Sequence, residues 1–312
     1  MTLHSLFPEE NPFTHLKARQ IFLFYFLVSI VLIVLVYSLI YSFLYYLSYI
    51  FFDIDYHDYQ RIVQDPIIPS LILLLMQGLV TTWVVRKLKL IQIQPKAIIG
   101  RLPIHFNWLP IIGIVLTRKV FSFGVVLVLY YPLSFIFPSW IENYFSNNPF
   151  NFAGSQSFSP VLAYIFDVAA SLTRSLTEVF ILEGIVLHIW AAKRGIKLAL
   201  IMLSVFYLIY YPSNFIGGIS LCLMLSFLYI KTKTLIVPIV ASFINAIVGS
   251  ALFKVMSLSN NPLENFRSLF GIGIFCLAIS TPLLIWLLYK NRIQPNEQMP
   301  YFANLRQLRS NE

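Results

Sequence analysis

Residues Pro160–Gly195 read PVLAYIFDVAASLTRSLTEVFILEGIVLHIWAAKRG, and the architecture can be worked out from there. A helix crosses the hydrocarbon with about 20 apolar residues, and this run is long enough. It also carries Asp167, Arg174, Glu178, Glu183 and His188. An ionisable group at the centre of a membrane helix costs roughly 2.5–3.5 kcal/mol on insertion scales, so such groups face a protein interior or a wet cavity. Other helices of the chain must therefore shelter this one.

Composition supports that demand. Of 312 residues, 58% are apolar and 11% charged, with a mean hydropathy of +0.77. Soluble domains average about 25% charged residues, so the chain reads as an integral membrane protein. Its apolar runs are too long and too uniform for the short alternating strands of a membrane barrel. The net charge of +9 is spread over connectors rather than gathered in a patch, and nucleic acid is not an expected partner. Cys222 and Cys276 both lie in apolar runs and read as small buried hydrophobes. The first 19 residues, with Pro8, Glu9, Glu10, Pro12, Lys17 and Arg19, read as a short cytosolic tail rather than a cleavable signal.

Eight spans are expected. The first lies within Ile21–Phe52 and is followed by an acidic loop. The second, Ile67–Val85, is interrupted at Gln77-Gly78. A basic connector over 86–105 leads to His105–Leu116, whose dozen apolar residues predict an interfacial or re-entrant piece before a third span at Val120–Phe137. Residues 138–159 form the longest polar loop, and Pro160–Gly195 is the fourth span. Leu198–Tyr211, Phe215–Ile230, Leu235–Met256 and Leu269–Tyr289 complete the set. With both termini cytoplasmic, that side receives nearly all the Lys and Arg, Arg118 and Lys119 among them. The opposite side then holds Asp53, Asp55, Asp58, Asp65, Glu142 and Glu264. The fold class is thus an all-α polytopic bundle forming one membrane domain. It comprises N-terminal spans and connector over 1–138, a polar core over 160–250 and a cytoplasmic tail over 290–312. A bacterial-type inner membrane, or a thylakoid-like one, is the expected location.

At about 100° per residue, Asp167, Ser171, Arg174 and Glu178 share one face of the fourth span. Arg174 and Glu178, four apart, are spaced to pair along the helix, and Asp167 is grouped with them as an internal ion-pair set. Glu183 falls well round from that face. One reading is a self-satisfying tie that pins neighbouring helices. The other is a carboxylate in a wet cavity that activates water or grips a polar ligand.

Across roughly residues 160–250 the order of features resembles the CAAX prenyl protease and bacteriocin-processing family of intramembrane proteases. The family's first motif is two adjacent Glu, three residues and Arg, usually then Gly. The second is Phe, three residues, His, and the third is His, three residues, Asn. Here Glu178-Val-Phe-Ile-Leu-Glu183-Gly184 stands at the first place and Phe206-Tyr-Leu-Ile-Tyr210-Tyr-Pro212 at the second. The third place holds Thr232 to Asn245 with Pro238 and Ser242 between. The resemblance implies that Glu178 is the candidate catalytic carboxylate. It also implies that Val179, Glu183, Tyr210, Ser242 and Asn245 occupy former site positions. Val179 replaces the second Glu, Glu183 the Arg, and Tyr210 and Ser242 the two histidines; Asn245 sits one place early, or pairs instead with Ala241. A phenol, with an ordinary pKa of about 10, does not replace imidazole as a base near neutrality.

The leading expectation is therefore a catalytically inactive relative that serves as a membrane scaffold, assembly factor or subunit, with the bilayer and other membrane proteins as partners. An intramembrane endopeptidase using Glu178 is the alternative, and a transporter or channel component the third reading. No metal centre and no cofactor are expected, because no three ligand-type residues converge in the sequence.

Overall fold

The computed structural model describes residues 11–17, 67–146, 160–211, 215–257, 262–290 and 297–310, with isolated positions between 19 and 46 and at 294. Among the described residues every regular element is helical. That is the expected response to lipid, where a helix satisfies its own backbone N–H and C=O groups.

A 3₁₀ turn, Pro12–His15, precedes α1 (Ile67–Leu90), the short α2 (Pro95–Ile99), α3 (Leu109–Ile136) and α4 (Pro138–Ser146). Then come α5 (Pro160–Ile181), a π turn (Leu182–Val186) and α6 (Leu187–Arg194), which run on as one long rod. The last elements are α7 (Ile196–Tyr210), α8 (Phe215–Thr232), α9 (Ile236–Ser257), α10 (Pro262–Ser268), α11 (Phe270–Lys290) and α12 (Pro300–Arg309). Prolines open α2, α3 and α12 within their first turn, where a missing N–H costs nothing.

Among the described residues, five helices are long and apolar enough to cross a membrane: Ser70–Leu90, Leu109–Ile136, Tyr164–Arg194, Phe215–Thr232 and Phe270–Lys290. Ile196–Leu208 and Ile236–Gly249 are apolar but shorter. The chain is thus a multi-pass helical membrane protein. The expected first span, Ile21–Phe52, lies almost wholly outside the described residues.

Three local expectations are corrected. His105–Leu116 is not a separate interfacial piece, because α3 runs unbroken from Leu109 to Ile136. The break expected at Gln77-Gly78 is absent, since α1 continues through both residues and on past Lys89; the Thr82 hydroxyl donates to the Gly78 carbonyl at 2.8 Å within it. The polar loop begins with α4, and residues 147–159 lie outside the described residues.

Burial orders the bundle. In the α5–π–α6 rod, 83% of the apolar window is buried, against 11% in α11, so the rod is central and α11 peripheral. Around the rod pack α1, α7 and α9, with α8 against α7 and α9. Helix α11 lies along α3, where a Cβ added at Gly124 would sit 2.9 Å from the Gly273 carbonyl oxygen, and one at Gly273 2.7 Å from Leu127 Cβ. Small residues at such a crossing let two backbones approach closely, the usual basis of helix association in lipid. At one end of this pair, α4 and α10 enclose a second apolar cluster of Val126, Leu127, Tyr130, Ile141 and Phe266.

The turn at Pro12–His15 and helix α12 meet. Phe13 stacks on His188 at 5.0 Å between ring centroids and meets Tyr301 edge-on at the same separation. Asn304 Nδ2 donates to the carbonyls of Ala97 at 2.9 Å and Lys233 at 2.7 Å, fastening α12 across the ends of α2 and α8. An ion pair, Lys231–Glu297 at 2.7 Å, holds the segment that leads into α12.

Candidate functional site

The buried face of α5 leads into the π turn as Ser175, Thr177, Glu178 and Glu183. Glu178 is 5% exposed. Arg174 Nε donates to its Oε1 at 2.6 Å, the pairing that a spacing of one helical turn allows. The Tyr211 hydroxyl donates to Oε2 at 3.0 Å, and the Arg174 guanidinium lies 5.9 Å from the Tyr211 ring centre. Both carboxylate oxygens are therefore engaged. Asp167 is not drawn in. It lies seven residues before Arg174, about 10 Å along the axis, is only partly buried, and makes no ion pair among the described residues.

Glu183 is fully buried at the start of the π turn, and the Tyr207 hydroxyl donates to its Oε1 at 2.9 Å. Its Oε2 has no hydrogen-bond partner among the described residues. Tyr207 on α7 and Tyr211 at its C-cap, one turn apart and stacked at 5.9 Å, thus serve one carboxylate each. In an ideal α-helix, side chains five apart diverge by about 140°. By that step Glu183, at the start of the π turn, lies well round the rod from Glu178, and Tyr207 of α7 reaches it there. Gly184 allows the close packing there, since a Cβ would lie 2.9 Å from Leu235 Cδ1 and 3.0 Å from Ile98 Cγ2.

The other positions resolve as follows. Val179 is buried in the apolar core. Ser242 Oγ donates to Ser175 Oγ at 3.3 Å, tying α9 to α5. Asn245 Oδ1 accepts from Arg118 Nη2 at 2.6 Å, which ties α9 to α3. Tyr210 ends α7, and its side chain lies outside the described residues. His188 is on α6, ten residues or about 15 Å along the rod from Glu178, and its Nε2 accepts from the Tyr301 N–H at 3.3 Å. That imidazole joins the Pro12–His15 turn to α12 and is remote from the Glu178 carboxylate.

Arg118 is the residue that sequence reasoning misplaced. Assigned to the cytoplasmic side between His105–Leu116 and the third span, it is 3% exposed within α3 and bonded to α8 and α9. Reading His105–Phe137 as one continuous apolar run would have left this arginine inside a span and flagged it.

No family model, curated protein or solved structure matches the chain. Among the described residues, no three His, Cys, Asp or Glu side chains gather as a metal would require. The polar interior is a set of bonds from α5 to α7 and α9, and from α9 to α3. Chemically it can fasten helices and pair one carboxylate with Arg174.

Proposed function

We propose that this chain is a non-catalytic membrane protein with a CAAX-protease-like frame, and that it works by binding other membrane proteins as a scaffold, assembly factor or subunit. One observation carries the reading: both Glu178 oxygens are taken, by Arg174 and Tyr211. A carboxylate that activates water also needs a partner for the proton, and the groups that hold Glu178 are a guanidinium and a phenol, neither of them a base near neutrality. Ser242, at the place of a motif histidine, hydrogen-bonds Ser175 instead. Support for the frame comes from the three helices bearing the motif-like positions, α5, α7 and α9, whose side chains join in one interior. Both chain ends belong on the cytoplasmic face in this reading, because Lys193, Arg194, Lys231 and Lys233 cluster near the contact between Phe13 and Tyr301.

The test is affinity purification of the full chain after mild detergent extraction, beside a Glu178→Gln variant. A defined membrane-protein partner retained by both forms is the expected result. Loss of a specific cleavage product on Glu178→Gln, with partner binding and folding intact, would overturn the proposal in favour of an endopeptidase.

A further inference from the structure

Between the end of α1 and the start of α3 the chain makes a basic loop at one end of the bundle. Arg86, Lys87 and Lys89 lie in the last turn and a half of α1, Lys96 on α2 and Arg101 just after it, and all are exposed. No Asp or Glu occurs between residues 66 and 141 to neutralise them. None of these cations joins an ion pair among the described residues. The Lys87 ammonium lies instead over the Trp83 ring, 5.9 Å from its centre.

The loop is bolted to the bundle. Ile93, Ala97 and Ile98 are buried, and the Ile98 carbonyl accepts from the Tyr229 hydroxyl at 2.8 Å. The Ile99 carbonyl accepts from the Leu235 N–H, also at 2.8 Å. Gly100 has φ +71°, and a Cβ there would collide with the Lys233 carbonyl. Beyond it Leu102, Phe106 and Trp108 pack against the core. Ile104, at the turn between them, is 95% exposed, and Leu90 and Leu109, where α1 ends and α3 begins, are exposed as well. A fixed surface that shows both unpaired cations and bare aliphatic side chains suits the boundary of a membrane. There headgroup phosphates meet the charges and the first acyl carbons meet the aliphatics. Because α1 and α3 both end here, the loop sits at that depth. We propose that residues 86–109 form a contact site for anionic phospholipid, with Lys87, Lys89, Lys96 and Arg101 on the headgroups and Ile104 dipped beneath them. Polybasic segments beside a membrane helix are drawn to an anionic leaflet in this way. The assignment concerns lipid and stands whether or not the chain binds protein partners.

The full chain is reconstituted into bilayers of phosphatidylcholine alone or mixed with phosphatidylglycerol, and native mass spectrometry counts the lipids each form retains. Phosphatidylglycerol should be retained in preference. Combining Lys87→Gln, Lys89→Gln, Lys96→Gln and Arg101→Gln should lower that preference by roughly fivefold or more. Combining Arg194→Gln, Lys197→Gln, Arg306→Gln and Arg309→Gln removes as much charge from exposed positions outside the loop and should leave it nearly unchanged. A polarity-sensitive fluorophore on Ile104→Cys, in a Cys222→Ser, Cys276→Ser background, should be quenched by nitroxides carried at the headgroup level of mixed vesicles. Equal losses in the two charge variants, or a water-like signal from position 104 in those vesicles, would refute the site. So would binding of polyglutamate that shields position 104 while the lipid preference ignores the loop cations, since the surface would then be one for an acidic protein.

Discussion

Glu178 and Glu183 lie on one rod, and each accepts from a phenol at the α7 side, yet substitutions around the two carboxylates should have opposite consequences. Glu178 is matched by Arg174 and Tyr211. Arg174→Gln strands a buried carboxylate, and truncating one partner of a fully buried pair costs about 3–5 kcal/mol. The arginine side chain is 32% exposed, so screening reduces that figure, and a loss of about 1–3 kcal/mol is expected. Tyr211→Phe should cost less, about 0.6–1.7 kcal/mol, the range for single interhelical hydrogen bonds in a membrane protein. Unfolding in mixed detergent micelles measures both, and an arginine variant as stable as the parent would contradict the tie. Glu183 has one oxygen without a donor. Glu183→Gln keeps the acceptor for Tyr207 and removes a buried carboxylate, so stability in the same assay should hold or rise. A marked fall would show that the charge itself is needed. At this scale the sequence was partly legible. The Arg174–Glu178 pair follows from spacing alone, whereas neither tyrosine bond does, because Tyr207 and Tyr211 reach the rod from a separate helix.

Helix pairing is tested most directly at the crossing of α3 and α11. A Cβ placed on Gly124 would lie 3.1 Å from Cys276 Cβ. Disulfides span about 3.5–4.5 Å between Cβ atoms, and the few tenths of an ångström of helix separation that the Gly273 carbonyl, 2.9 Å from the same Cβ, already demands brings the pair into that range. Gly124→Cys should therefore cross-link to the native Cys276 under mild oxidation, and linked peptides should vanish when Cys276→Ser is added. Failure to cross-link in folded protein would mean that the two helices do not pair in this register. Helix limits from Pro160 onward agree with the hydropathy to within a few residues, since each run is apolar, bounded by charges or proline, and has no competing structure in lipid. The limits failed between residues 67 and 137. There a Gln-Gly pair and an Arg-Lys pair looked like interruptions, although helices α1 and α3 carry them without a break. A backbone in lipid has no alternative hydrogen-bond partner, so polar side chains bend the hydropathy profile without ending the helix.

Seen whole, the molecule closes on itself at one end, where the turn at Pro12–His15 and helix α12 both reach the base of the central rod. Asn304 is the main polar fastener, with two carbonyl acceptors on different elements. Asn304→Ala should lower hydrogen-exchange protection over residues 297–310 while leaving the bundle's unfolding midpoint nearly unchanged. A large fall in that midpoint would instead make α12 part of the cooperative core. The sequence by itself determined that the chain is helical, that it belongs in a bilayer, where the later helices begin and end, and that Arg174 is spaced to meet Glu178. These are properties of local composition and of spacing along one helix. The tertiary structure alone decided that Arg118 is buried, that Glu183 meets Tyr207 across the π turn, and that the Pro12–His15 turn and α12 meet at His188. Arg118 and Asn245 are 127 residues apart in sequence. Which helices become neighbours is fixed by the packing of all of them together, and no single segment encodes it.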